Sequence, residues 1–215
     1  MKIIAFAYWP LLLIVMGVGI IRYKKLTRPF KVLAWSVIIS FFLELLSYIF
    51  AVRFKNNAPI AHIENIVWYI FYAIIYYDLL KNEKLKKTIL VSIVIVTVFG
   101  LVNALFLQPF HVFPTYTTVV TQTLYVIFSL LLYKQMLLYP SKINIIEQSA
   151  FWYNTAILFY ATTMFVNLGL GNYVAEHHVV DYIIFYFWYF ILYVFFILIG
   201  VALLTDNKEI LGANA

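Results

Sequence analysis

Four histidines, His62, His111, His177 and His178, together with Glu44, Glu64, Glu176 and Asp181, are the side chains of this chain best suited to chemistry. Imidazole titrates near neutral pH and ligates divalent ions, and carboxylates complete such sites. The sequence contains no HxxxH or HExxH spacing, and His177 and His178 are adjacent, so neither a metal site nor a catalytic constellation is expected. Apart from Glu44, which lies mid-span, these groups all fall on the outer side of the expected bundle, where they suit a mouth that binds a small ligand or serve only to solvate the outer turns. The absence of cysteine removes disulfides, thiolate catalysis, iron–sulfur clusters and cysteine-based zinc sites. No cofactor is expected.

Other polar side chains recur at helical spacing. Ser36, Ser40, Glu44 and Ser47 fall on one face, as do Thr118, Gln122, Tyr125, Ser129 and Tyr133, with a shorter series at Tyr160, Thr163 and Asn167. Two stretches share a histidine followed by a tyrosine ladder: His62, Asn65, Tyr69, Tyr72, Tyr76 and His178, Tyr182, Tyr186, Tyr189, Tyr193. An interfacial aromatic belt would cluster at the ends of a helix, whereas these ladders run its length, so they need hydroxyl partners inside a bundle. They serve either as packing with interhelical hydrogen bonds or as the lining of a cavity. Glu44 is the only acid near the middle of an apolar run; it is expected to be neutral or paired, with hydroxyls as partners and a role in proton coupling or ligand anchoring. The candidate ligand-binding set is Glu44, His62, Glu64, Asn65, Tyr69, Tyr72, Gln122, Tyr125, His178, Asp181, Tyr182 and Tyr186. Asp78, next to Lys81, is expected at an interface.

The elements that must position these residues follow from composition. The chain has 215 residues, 65% hydrophobic and 20% aromatic with 11% charged, and a mean hydropathy of +0.95, which excludes a water-soluble globule. Crossing about 30 Å of hydrocarbon takes roughly 20 helical residues. Continuously apolar runs of that order span 4–21, 31–52, 60–80, 88–107, 115–137, 150–170 and 179–204, with short connections. Barrel strands would alternate instead, so the expected fold is all-α, a polytopic membrane protein of seven transmembrane helices forming one domain over residues 1–215. The first run lacks a cleavage site and is expected to be retained. Twelve of the fifteen basic residues fall in loops on one side, against Lys2, Arg53 and Lys55 on the other, which places the N-terminus outside and the C-terminus in the cytoplasm. That asymmetry accounts for the formal charge of +6 without nucleic acid. The two ladders suggest a three-plus-one-plus-three pseudo-repeat.

From Asn57 to Tyr77, with His62-Ile63-Glu64-Asn65 leading into the ladder, and at Phe151-Trp152 followed by Phe159-Tyr160, the chain resembles uncharacterised seven-helix inner-membrane proteins common in Bacteroidota. The resemblance implies a bacterial inner membrane and the same topology, and no activity. A retinal protein would need a lysine in the last span, and 182–204 has none. Membrane hydrolases of the ceramidase and adiponectin-receptor type need histidines one turn apart on the last helix. Small sugar and vitamin transporters are similar in layout, but their proline-glutamine turn is missing. The expected function is a sensor or receptor-like component that binds a small ligand through an outward His and acid mouth and a tyrosine-lined interior, and acts through a partner protein. The alternative is a small-solute, proton-coupled transporter; a metal-dependent hydrolase ranks below both.

Overall fold

Prolines and asparagines set where the helices begin. Pro29 and Pro59 occupy the first turns of α2 (Arg28–Phe54) and α3 (Ala58–Leu79), where the missing amide hydrogen costs nothing. Asn82 caps α4 (Glu83–Val102), its side chain accepting from the Lys84 and Leu85 amides. Between α2 and α3 the chain reverses through Lys55 at a φ of 56°, a left-handed conformation that is costly for a residue with a Cβ. The remaining helices are α1 (Lys2–Arg22), α5 (Thr115–Leu138), α6 (Ser149–His177) and α7 (Tyr182–Thr205). The computed structural model describes residues 2–141, 143–177 and 182–207, with side chains over 8–141, 143–169 and 186–207.

Over its described residues each expected apolar run is helical, and among the described residues no strand occurs. Five segments are long and apolar enough to cross a membrane: Arg28–Phe54, Ala58–Leu79, Glu83–Leu107, Thr115–Leu138 and Tyr186–Thr205. In α1 the described apolar stretch is the shorter Tyr8–Arg22. The described part of α6 is diluted by Asn154, Thr155, Thr162, Thr163 and Asn167 and does not join the five. Large apolar side chains such as Phe42, Val94, Phe106 and Leu137 face outward, 61–78% exposed. Such a surface suits lipid rather than water, and the chain is a helical membrane protein.

The helices fall into two compact units, Thr27–Thr121 and Met1–Leu26 with Gln122–Ala215. In the Thr27–Thr121 unit α3 packs between α2 and α4. Gly100 makes that approach close: a Cβ there would lie 2.9 Å from Ile66 Cδ1 and Cγ1. After Val102 the helical ladder widens into a π-turn over Asn103–Leu107. In the other unit α7 packs on α6 and α1. Tyr8 sits edge-on to Tyr189 (5.9 Å) and Phe196 (5.8 Å), and Tyr160 meets Phe195 at 5.0 Å.

Candidate functional site

Most of the candidate residues that come together do so in the hairpin of α2 and α3. At its turn, Asn57 Nδ2 donates to Ser47 Oγ (3.0 Å), Asn56 Oδ1 accepts from the Ala58 amide (2.8 Å), and Asn56 Nδ2 donates to the His111 carbonyl (2.9 Å). His62 follows one turn later and is buried. Its ring lies edge-on to Phe110 at 5.3 Å, and its Nε2 is 3.0 Å from the Val112 carbonyl. A carbonyl only accepts, so Nε2 carries the proton. His62 therefore fastens the α4–α5 connection onto α3. Asn65 adds a second tie, donating from Nδ2 to the Ala61 carbonyl and to Thr118 Oγ1, both at 3.1 Å.

Beneath these ties, Glu44 of α2 and Glu64 of α3 approach closely enough for their charges to repel. Glu64 Oε1 is buried with no hydrogen-bond partner among the described residues. The sequence between Lys31 and Arg53, and all of α3, contains no lysine or arginine. Glu44 thus has a second acid as an electrostatic neighbour, on the facing helix. Further along α3, the fully buried Tyr69 donates to Ser92 Oγ (2.7 Å), which passes its own hydrogen to the Ile89 carbonyl (2.7 Å). Tyr72 hydrogen-bonds Ser36, and Tyr76 is buried. At the open end of the hairpin, Asp78 pairs with Arg28 Nε at 3.3 Å, because antiparallel packing brings the start of α2 to the end of α3. Polar groups therefore line the hairpin from end to end.

Six of the twelve candidates, Glu44, His62, Glu64, Asn65, Tyr69 and Tyr72, share this unit. Gln122 and Tyr125 are buried in the other unit, where Gln122 Oε1 has no hydrogen-bond partner among the described residues. Tyr186 is 43% exposed, and the buried face of α7 is instead Ile191, Leu192, Phe195, Phe196 and Ile199. Tyr182 begins α7, with its side chain outside the described set; His178 and Asp181 lie outside the described residues. Among the described residues no three His, Asp or Glu side chains gather as a metal site requires.

Two polar networks were not singled out from the sequence. Around the π-turn, Asn103 Nδ2 donates to Gln108 Oε1 and Thr117 Oγ1 (both 3.1 Å), and Gln108 Nε2 donates to Thr115 Oγ1 (2.6 Å). In the other unit, Arg22 donates to the Leu203 carbonyl (3.0 Å) and the Asp206 carbonyl (2.9 Å) at the end of α7, while Ser149 Oγ donates to Asp206 Oδ1 (3.1 Å). An arginine at the end of one helix and an acid at the end of another were the available signals. No protein-family model, no curated protein and no solved structure matches this chain.

Proposed function

We propose that this chain is a seven-helix protein of a bacterial inner membrane, with its N-terminus outside and its C-terminus in the cytoplasm, and that it is a receptor-like component binding a small ligand at the turn end of the α2–α3 hairpin and acting through a partner protein. The topology is supported by the one-sided distribution of basic residues and by the resemblance to seven-helix inner-membrane proteins. At 29 residues, α6 extends over about 43 Å, enough to cross despite its polar face.

One observation carries the binding reading: Glu44 and Glu64 are brought together among apolar helices with a buried acceptor oxygen left over. Holding acids there is costly unless protons, a cation or hydrogen-bond donors satisfy them. The ligand this favours is small and carries positive charge or donors, with Asn65 and the phenols of α3 as further contacts. His62 and Asn65 fix the connection above the pair, so a ligand that moved this connection would change the surface offered to a partner.

Thermal unfolding of the detergent-purified protein with sodium, tetramethylammonium or spermidine tests it. At least one should stabilise the native chain and fail to stabilise Glu64→Gln; no response to any of the three contradicts the reading. The alternative, a proton-coupled transporter of small solutes, draws on the hydroxyls of Tyr69, Tyr72 and Tyr76 between the acid pair and Asp78. Vesicles containing the protein and a pH-sensitive dye separate the two, because a receptor leaves an imposed proton gradient intact.

A further inference from the structure

At the open end of the hairpin, the start of α2 and the connection from α3 into α4 carry Arg28, Lys31, Lys81, Lys84, Lys86 and Lys87, with the carboxylates of Asp78 and Glu83. Asp78 takes Arg28, and Glu83 takes Lys86 at 2.9 Å, with the Lys86 ammonium also 5.7 Å above the Tyr77 ring. Lys84 and Lys87 are exposed, and among the described residues no carboxylate pairs with either. The two side chains continue down α4 into a strip at helical spacing, Val91, Val94 and Val98, which are 57%, 63% and 54% exposed. The opposite face, Ile89, Ser92, Val96 and Gly100, is buried. From Lys87 to Val98 the helix rises about 16 Å, roughly half the hydrocarbon thickness of a bilayer.

We propose that this face of α4 is a binding surface for an anionic phospholipid, with the phosphate held by Lys84 and Lys87 and an acyl chain lying along Val91, Val94 and Val98. Charge complementarity selects an anionic headgroup, and the length of the apolar strip selects a molecule with a chain one leaflet long. A soluble phosphate satisfies only the first requirement. The surface needs the membrane setting but not the ligand site at the acid pair, so either can fail alone.

Native mass spectrometry of the full chain in detergent, with phosphatidylglycerol or phosphatidylcholine added, tests the proposal. The native chain should retain phosphatidylglycerol in preference to phosphatidylcholine. Lys84→Gln with Lys87→Gln should weaken that retention about 30-fold, taking each surface cation at its usual strength, while Lys84→Arg with Lys87→Arg should preserve it. Lys24→Gln with Lys25→Gln, a charge-matched change elsewhere, should leave it unaltered, and glycerol 3-phosphate should not displace the lipid. Unchanged retention in the Lys84/Lys87 glutamine variant overturns the proposal, as does equal weakening in the Lys24/Lys25 variant, equal retention of phosphatidylcholine, or displacement by glycerol 3-phosphate.

Discussion

Gly100→Ala disturbs the seating of α3, and with it the acid pair, without touching a candidate ligand contact. The new methyl would lie 2.9 Å from Ile66 Cδ1 and Cγ1 and 3.6 Å from Thr117 Cγ2. The last is ordinary contact, whereas the first two fall nearly 1 Å inside optimal carbon separation, which is about 3.5–4.0 Å. Ile66 must therefore move, and it sits between Asn65 and Tyr69 on the helix that carries the site. Overpacking of this kind costs about 1–3 kcal/mol. The better helix propensity of alanine returns about 0.5–1 kcal/mol, leaving a net loss of about 0–2.5 kcal/mol. Ile66→Ala alone opens a cavity and costs about 2 kcal/mol, near the lower end for such truncations because Ile66 is only half-buried. In the double variant the alanine methyl fills part of that space, so the two losses should fall short of additive by about 1–2 kcal/mol. Denaturant unfolding of the detergent-purified variants followed by tryptophan fluorescence reads all three values. Strictly additive losses in the double variant would refute the close approach of α4 to α3.

Three further outcomes are expected. His62→Phe keeps a ring against Phe110 but removes the donor to the Val112 carbonyl; it should cost about 1 kcal/mol and speed proteolysis within residues 108–114, and an unchanged cleavage rate contradicts the tie. Arg22→Gln strips two charge-assisted bonds from the end of α7 and should lower stability by about 2–3 kcal/mol, with Arg22→Lys restoring only part because an ammonium lacks the planar fork; full restoration in the melting temperature would argue against two simultaneous bonds. Arg28→Gln should cost about 1–3 kcal/mol, since the Arg28 side chain is 76% exposed but the Asp78 side chain it pairs with is 8% exposed and loses its charge partner; no measurable loss in the same unfolding assay would show that the pair contributes nothing.

Much of this architecture could be read from the chain because lipid demands continuous apolar helices, and Pro29, Pro59 and Asn82 mark starts that a sequence displays openly. The polar faces were legible for the same reason. Ser36, Ser40 and Ser47 on α2, Tyr69, Tyr72 and Tyr76 on α3, and Thr118, Gln122, Tyr125 and Ser129 on α5 are all buried. Helical spacing reveals which residues share a face, but not which residue on a neighbouring helix they meet. Glu64 was therefore grouped with the outer histidines by sidedness, while its proximity to Glu44 emerges only from the packing of α2 on α3. Asp78 was likewise assigned by its sequence neighbour Lys81, whereas helix packing gave it Arg28. In α7 nearly every residue is apolar or aromatic, so no period distinguishes a core face: Phe195 and Phe196 are buried, Tyr189 packs on Tyr8, and Tyr186 is 43% exposed. The π-turn at Asn103–Leu107 has no pattern of its own in sequence, and its amide network depends on Gln108 and Thr117 returning to it.

The role given to the acid pair is tested most directly by comparing thermal shifts of the native chain and the Glu44→Gln, Glu64→Gln double variant on titration with sodium, tetramethylammonium and spermidine. A cation bound at the pair and present at 100 times its Kd adds about 2.7 kcal/mol, a rise of roughly 5–10 °C for a chain of this length. The native protein should show such a rise with at least one cation, and the double variant with none. Identical responses from both proteins to every cation would contradict a binding site at Glu44 and Glu64.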